Sequence, residues 1–150
     1  MSQLSIKELV DRYIDLTFAV HKKGESLVKE QLQSELSNDQ FYTLKYIYKT
    51  ENCTSTELAK VFDVKKSAIT AVITKLWDQD LIERTRDQND RRVVYLTLTE
   101  AGLELYKKTE ERIYNLVESI ITQFEEQEIK QFIETYEKIN NILTTLQEKQ

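Results

Sequence analysis

The chain has 150 residues, of which 40% are hydrophobic and 31% charged, and its formal net charge is −5. This length suits one domain, or one compact unit with helical extensions, and two glycines with no proline favour long uninterrupted helices. No apolar run approaches the roughly 20 residues that cross a bilayer, and the first residues lack a signal-peptide pattern, so we expect no membrane partner. Cys53 is the only cysteine, which excludes an intrachain disulfide and makes a cytoplasmic location the simplest expectation.

The negative charge is unevenly distributed along the chain. Residues 99–150 carry six basic and eleven acidic side chains, which accounts for the whole net charge. Residues 51–98 carry eight of each sign. Seven of the eight basic side chains fall into two clusters: Lys65, Lys66 and Lys75, and then Arg84, Arg86, Arg91 and Arg92. Because charge distribution matters more than its sum, the acidic net charge does not exclude a nucleic-acid partner.

The first third of the chain predicts two helices. Apolar residues recur with a helical period from Ile6 to about Gln33 and predict one long helix. Ser37–Gln40 has the pattern of a capping box, in which the serine hydroxyl accepts from a first-turn amide and the glutamine reaches back. It begins a second helix whose apolar face comprises Phe41, Leu44, Ile47 and Tyr48.

Two shorter helices joined by a tight turn follow. Thr54–Glu57 has the same capping-box pattern and begins the first of them. Asp63 and Val64 form the turn, and the second helix runs from about Lys66 to Trp77. Its apolar face comprises Ile69, Val72, Ile73 and Leu76.

The hydrophobic period then changes to two, which predicts β-strands. The strands are Ile82–Arg86 and Val93–Leu98, joined across the loop Asp87–Arg92. A long helix begins at Thr99, and a final helix follows it. The predicted fold is therefore mostly α with a small β-hairpin: a winged helix-turn-helix between long helices, which we expect to be dimerisation helices.

The helix from Lys66 to Trp77 has a face suited to DNA. Its outward side is small, polar and basic, and comprises Ser67, Thr70, Ala71, Thr74 and Lys75. Such a face fits a major groove about 12 Å wide and offers hydroxyls to base edges. Lys65 and Lys66 lie at the N-terminal end, where the helix dipole disfavours cations, so a bound phosphate would explain them. Two solvated lysines are the alternative interpretation.

The loop between the two strands is the more specific signal. An exposed turn usually holds Asn, Asp and Gly, whereas the adjacent Arg91 and Arg92 repel each other unless an anion lies nearby. Arginine at such a tip suits a narrow minor groove. We predict that Arg92 enters the groove, that Arg91 contacts phosphate and that Asp90 orients an arginine. Arg84 and Arg86 add to this basic surface.

Several stretches resemble the MarR family of bacterial transcriptional regulators. In the family's order and spacing, they are Glu57–Ala59, Ser67–Thr70, Lys75–Leu76, Leu81–Arg84, Asp87–Arg92 and Leu98–Gly102. The acidic-arginine loop followed by Leu-Thr-x-x-Gly is the most specific part, and the likeness covers nearly the whole chain. It implies a homodimer that places a recognition helix in the major groove and a wing in the minor groove of a palindromic, double-stranded operator.

The resemblance also implies a division of roles along the chain. Residues 1–36 and 99–150 would form a helical dimerisation region, and residues 37–98 the DNA-binding lobe. The residues expected to contact or position DNA are Lys65, Lys66, Ser67, Thr70, Thr74, Lys75, Arg84, Arg86, Asp90, Arg91 and Arg92.

The chain departs from the family pattern at four positions. Asp63 and Asp80 stand where the family often has glycine, and aspartate is among the residues that tolerate a positive φ. Lys65 replaces the usual serine-type cap of the recognition helix, and Gln88 stands where the family often has proline. None of these changes removes a predicted DNA contact.

Members of the family bind small aromatic acids and phenols between the dimerisation helices and the DNA-binding lobe, so the resemblance implies a small aromatic effector. An aromatic wall that could stack such a ligand comprises Tyr13, Phe18, Phe41, Tyr42 and Tyr46. Aromatic residues at helical spacing also form ordinary core, and both interpretations stay open.

Three single residues invite functional interpretations. Cys53 is either a small buried residue or a redox sensor, with burial the simpler reading. His21 is the only histidine, so we expect no histidine-rich zinc site within one subunit, and no metal or cofactor is predicted. Trp77 either packs against the wing or first helix or contacts a ligand, and packing is the simpler explanation.

The leading functional interpretation is a dimeric, sequence-specific repressor that a small ligand releases from DNA. The alternative is a winged-helix protein-interaction module that docks its basic wing on an acidic partner. We do not expect an enzyme, because the sequence has no plausible cysteine–histidine pair, no phosphate-binding loop and no metal-ligand cluster.

Overall fold

The computed structural model describes residues 5–149. Within this range the elements are, in chain order, α1 (Ile6–Leu32), α2 (Asn38–Lys49), α3 (Ser55–Val61), α4 (Lys66–Asp78), β1 (Ile82–Arg86), β2 (Val94–Leu98), α5 (Glu100–Ile121) and α6 (Glu126–Glu148). The strands pair antiparallel, with Ile82 opposite Leu98 and Arg86 opposite Val94. The predicted fold class, mostly α with a small β-hairpin in a winged helix-turn-helix, is confirmed. Residues 1–4 and 150, the outer ends of the predicted dimerisation region, lie outside the described residues.

Side-chain caps set the starts of α2 and α3. The Ser37 hydroxyl accepts from the Gln40 amide at 3.1 Å, and the Gln40 side chain accepts from the Ser37 amide at 2.9 Å, so the predicted capping box is confirmed. Before α3, the Thr54 hydroxyl accepts from the Glu57 amide at 3.2 Å. The Glu57 carboxylate, however, accepts from the Tyr46 hydroxyl at 2.9 Å. The prediction of a second complete capping box is therefore wrong, because Glu57 bonds to α2 rather than to its own cap.

The turn between α3 and α4 has the backbone expected of it. Asp63 adopts φ 52°, and the Val64 amide donates to the Ala59 carbonyl at 3.0 Å. Asp80, which follows α4, adopts φ 58°. Aspartate therefore fills two left-handed positions that glycine would occupy with less strain. Lys65 caps α4 with its backbone alone and makes no side-chain cap hydrogen bond.

The core lies where α2, α3, α4 and the hairpin meet, and the start of α5 packs against it. Buried apolar side chains there include Phe41, Leu44, Ile47, Leu58, Ile69, Ile73, Leu76, Ile82, Leu96 and Tyr106. Full burial of a side chain of this size stabilises a fold by about 1.5–3 kcal/mol. Tyr48, predicted on the apolar face of α2, is about half exposed. The centre of its ring lies 5.2 Å from the centre of the Tyr106 ring. This core holds the recognition helix in place.

A tight joint connects the end of α4, the start of β1 and the start of α5. The Thr99 amide donates to the Leu81 carbonyl at 3.1 Å, and the Thr99 hydroxyl donates to the Asp80 carbonyl at 2.7 Å. The same hydroxyl accepts from the Gly102 amide at 2.9 Å. A Cβ atom at Gly102 would lie 1.9 Å from the Leu81 carbonyl oxygen, so only glycine permits this approach.

The chain divides into two compact units, one ending at Arg112 and one beginning at Ile113. In the first unit, α1 leaves most of its apolar side chains exposed, among them Ile6, Ile14 and Phe18. In the second unit, α6 has no buried residue, and its exposed apolar side chains include Phe132 and Leu143. None of the helices in residues 5–149 combines the length and apolar character that crossing a bilayer requires.

Candidate nucleic-acid interface

The recognition helix α4 presents two distinct faces. Ile69, Ile73 and Leu76 are buried, and Val72 is partly buried. On the opposite side, the exposed residues are Ser67, Thr70, Ala71, Thr74 and Lys75. The predicted register of this helix therefore agrees with the structure.

The two threonines of the exposed face differ in what they can offer a base. The Thr70 hydroxyl donates to the Lys66 carbonyl at 2.8 Å, so its proton is already used within the helix. Its lone pairs and its methyl group remain available. The Thr74 hydroxyl has no hydrogen-bond partner within residues 5–149 and can both donate and accept. Thr74 is thus the more versatile of the two.

Three lysines lie on this face or at its N-terminal end. Lys65, Lys66 and Lys75 are all exposed, and none of them has an ion-pair partner within the described part of the chain. Lys65 and Lys66 lie at the N-terminal end of α4, where the backbone amides also favour an anion. Unpaired lysines beside free amides suit contact with a phosphate.

Asp87 organises the wing tip, which we define as Asp87–Arg92. One carboxylate oxygen accepts from the Asn89 amide at 2.7 Å and the Asp90 amide at 3.1 Å. The other accepts from the Tyr95 hydroxyl at 2.6 Å. The hydrogen bond from Tyr95, followed by those from the two amides, lowers the pKa of Asp87. The same bond raises the pKa of Tyr95.

Asp90 holds Arg92 in one orientation, as predicted for an arginine of this loop. Its carboxylate accepts from Nε of Arg92 at 3.1 Å and from Nη2 at 3.3 Å, and also from the Arg92 amide at 3.0 Å. Hydrogen bonding to the Arg92 side chain is the main reason that the pKa of Asp90 is lowered. The Arg92 side chain is nevertheless 91% exposed, so the guanidinium is directed but still accessible.

The two arginines of β1 are engaged within the protein. Arg86 donates from Nη1 to the Arg91 carbonyl at 2.7 Å and so closes the wing tip. The Arg84 guanidinium lies 4.7 Å from the centre of the Trp77 ring, a cation–π contact between the wing and the recognition helix. The simpler explanation of Trp77, packing against the wing, agrees with this contact. Arg91 is therefore the cation of the hairpin that has no ion-pair partner within residues 5–149, and Arg92 is paired with Asp90 but remains exposed.

Sequence reasoning missed two positioning residues of the wing, Asp87 and Tyr95. A signal for Asp87 existed, since an aspartate followed by Asn and Asp is typical of a turn closed by its own side chain. The role of Tyr95 depends on which residue of β2 lies beside the tip, and Tyr95 pairs with Thr85 in the register.

The five aromatic residues of the predicted effector wall do not line one cavity. Phe41 is buried and packs 5.7 Å from Tyr106, and Tyr46 bonds to Glu57. Tyr13 and Phe18 lie on the exposed face of α1. Tyr42, the fifth, lines a cavity of about 420 Å³ between α2, the α3–α4 turn and α4. An effector site that uses all five stays a prediction, and only Tyr42 faces this space.

The two remaining single residues are not part of a cluster. His21 forms an exposed pair with Glu25 at 3.3 Å, and no group of three metal-ligating side chains occurs within the described residues. Cys53 is fully buried, and its carbonyl accepts from the Leu96 amide at 2.8 Å. Burial, and secondarily the charge of Glu57, raises the pKa of the Cys53 thiol to about 11. A thiol so held is a poor nucleophile at neutral pH.

Comparison with known proteins identifies the family in which this geometry occurs. The family model described as "MarR family" matches residues 36–94. The uncharacterized HTH-type transcriptional regulator YwhA of Bacillus subtilis is 27% identical over 118 residues, which cover 79% of this chain and 85% of that protein.

Two solved structures extend the likeness over the chain. A MepR-like protein, crystallised with pseudoligands, is 34% identical with a TM-score of 0.65, and the match covers 89% of this chain and 95% of that one. FabT of Streptococcus pneumoniae, crystallised with DNA, is 24% identical with a TM-score of 0.79, and the match covers 91% and 99%. With its winged helix-turn-helix and these relatives, the chain belongs to the MarR family of transcriptional regulators.

Proposed function

We propose that this chain is a homodimeric transcriptional repressor that binds a palindromic DNA operator. The recognition helix α4 enters the major groove and reads base edges with Ser67, Thr70 and Thr74, while Lys65, Lys66 and Lys75 contact phosphates. The wing tip enters the adjacent minor groove. The observation that carries this proposal is Arg92, whose guanidinium is held by Asp90 and is yet 91% exposed.

The electrostatics of the tip fit a minor groove. A narrow minor groove has the most negative potential on DNA and attracts inserted arginine. Arg91 carries a second exposed charge beside Arg92, and its carbonyl is occupied by Arg86. Asp90 already offsets the charge of Arg92, whereas Arg91 has no ion-pair partner within residues 5–149 and can be balanced by a DNA phosphate. FabT, which shares this fold, was crystallised with DNA.

Homodimerisation is proposed from the exposed apolar faces of α1 and α6. No residue of α6 is buried, although Phe132, Ile133 and Leu143 are large and apolar. Pairing such faces across a two-fold axis removes them from water, as obligate dimers do. Sedimentation at low micromolar concentration should give a dimer, and a stable folded monomer of 17.8 kDa would contradict it.

Footprinting on the DNA that flanks the protein's own gene tests the DNA assignment. We expect a protected palindrome and an affinity that falls steeply with salt, since each neutralised phosphate contributes about −0.9 to the log–log slope. Binding without salt dependence or without sequence preference would favour the alternative, a module that docks its wing on an acidic protein.

We further propose that a small ligand with an aromatic or other apolar body releases the protein from DNA. The support is the cavity of about 420 Å³ that Tyr42 shares with the recognition helix. The 34% identical MepR-like relative was crystallised with pseudoligands. Ligands that shift the protein's melting temperature should also weaken its operator binding, and a ligand that did the first without the second would contradict release.

A further inference from the structure

The cavity beside the recognition helix has a composition that restricts what it can bind. We name it the helix-turn-helix cavity. Its apolar wall includes Phe62, Val64, Ile69 and Val72, and its polar wall lies on α2. An occupant would touch both the turn before α4 and the helix itself, so it could shift the element that reads DNA.

The polar wall of this cavity is acidic. Asp39 is its only charged lining residue, and Tyr42 stands beside it on α2. A neighbouring depression of about 440 Å³ between α1 and α2 shares both residues and adds Glu25, which is paired with His21. Neither space has a lysine or arginine in its lining.

A buried hydroxyl in the same wall lacks a partner. Thr43 lines the helix-turn-helix cavity, is 1% exposed, and its hydroxyl has no hydrogen-bond partner within the described residues. Buried polar atoms in native proteins are nearly always hydrogen-bonded, to the protein itself, to water or to a ligand. An occupant with a polar hydrogen beside its apolar body could satisfy it.

We propose that the helix-turn-helix cavity binds an amphipathic cation, with its apolar body against α4 and its ammonium group at Asp39 and Tyr42. A carboxylate and an aromatic face together attract a cation, and the aromatic face suits alkylated ammonium groups as well as primary amines. An aromatic acid is disfavoured, because its carboxylate would meet Asp39 with no lysine or arginine in the lining to offset the repulsion. This proposal rests on the effector role proposed above and names the chemical class of the effector.

Three probes that share one body and differ in charge test the proposal. They are 4-tert-butylbenzylammonium, 4-tert-butylbenzyl alcohol and 4-tert-butylbenzoate, titrated by calorimetry into the protein at neutral pH. We expect the cation to bind at least roughly tenfold more tightly than the acid, with the alcohol between them. Equal or tighter binding of the acid would overturn the proposal.

Asp39→Asn removes the charge while keeping the shape, and should bring the three affinities close together. Glu30→Gln, at an exposed position of α1 outside both depressions, is the matched control and should keep the preference for the cation. Ala68→Leu, which fills the cavity from α4, should weaken all three probes. If Asp39→Asn leaves the cation preference unchanged, the site lies elsewhere.

Operator binding of each variant without a probe separates this proposal from the function on which it rests. Intact operator binding with no binding of the cation overturns the cation site and leaves the DNA-binding regulator standing. Failure of the folded wild-type protein to bind any operator overturns the proposed function instead.

Discussion

The wing tip and the outer face of α4 are the two surfaces that we propose to meet DNA, and they are prepared in opposite ways. In the wing tip, Asp87, Asp90 and Arg86 fix the loop through hydrogen bonds to its backbone and to one arginine. On α4 the backbone is held by the core, while the Thr74 side chain makes no bond within the described residues. Hydrogen bonds therefore fix side chains of the wing tip before DNA binds. On α4 the backbone is fixed, while the Thr74 side chain can still rotate.

This difference indicates different tasks. An arginine that enters a narrow groove binds more tightly when its side chain is already ordered. The entropy cost of ordering that long side chain then falls on folding and not on DNA binding. A face that reads bases gains from side chains that can adjust their donors and acceptors to the base edges. We expect changes in the wing tip to alter operator affinity and changes at the threonines of α4 to alter sequence preference.

The largest expected effect comes from the two exposed arginines of the wing tip. Arg91→Ala with Arg92→Ala should lower operator affinity by roughly 100-fold or more, because charged hydrogen bonds are lost in both subunits. Thermal stability should change little, since exposed substitutions shift it by less than about 0.5 kcal/mol. Gel-shift titration and thermal melting measure the two quantities, with Lys107→Ala on exposed α5 surface as the control. Undiminished operator binding would remove the wing from the interface.

The threonines of α4 test the reading of bases. Thr74→Ala should change the ranking of operator variants by roughly tenfold at the base pair it reads, within the range known for direct contacts. Thr70→Ala should change it less, because the Thr70 proton is already given to Lys66. Selection from a randomised operator library measures both. If neither change alters base preference, the recognition helix approaches DNA with another face.

A smaller effect is expected at Tyr95. Tyr95→Phe removes only the hydroxyl that donates to Asp87, so it should lower operator affinity by about two- to fivefold while sequence preference stays constant. Asp87→Ala also frees the amides of Asn89 and Asp90 and should cost more. Binding titrations on one operator and one mismatched operator provide the measurement. A loss of preference instead of affinity would contradict the division between the two surfaces.

The smallest effect on DNA binding should come from blocking Cys53, at the base of the wing. With its pKa at about 11, roughly 0.1% of the thiol is ionised at pH 8, against about a quarter for an unperturbed cysteine. Iodoacetamide should therefore label the folded protein far more slowly than the protein in urea, and operator binding should survive the treatment. Fast labelling with loss of binding would mean that the base of the wing opens.

Much of this architecture could be predicted from the sequence, because it depends on local patterns. The Ser37 capping box, the register of α4 and the two strands follow from spacings of two to four residues. The pairing of Asp90 with Arg92 is equally local. These features need no knowledge of what packs against them.

The remainder depends on neighbours that are distant along the chain. Glu57 bonds to Tyr46 rather than to its own cap, and Arg84 covers Trp77, because folding brings those groups within reach. Periodicity identified Phe41 and Tyr42 as aromatic residues of one helix. It placed Phe41 on the apolar face of that helix, but it could not indicate that Tyr42 lines a cavity.

The close contact at Gly102 couples the start of α5 to the end of α4 and the start of β1. Thr99 ties the start of α5 to the carbonyls of Asp80 and Leu81, and the Leu81 amide donates in turn to the Leu76 carbonyl at the end of α4. At Gly102 the backbone of α5 lies directly against the Leu81 carbonyl, with no side chain between them. Leu81 immediately precedes β1, so a shift of α5 at this point would press on the start of that strand. We therefore expect any displacement of the start of α5 to move the start of β1 with it.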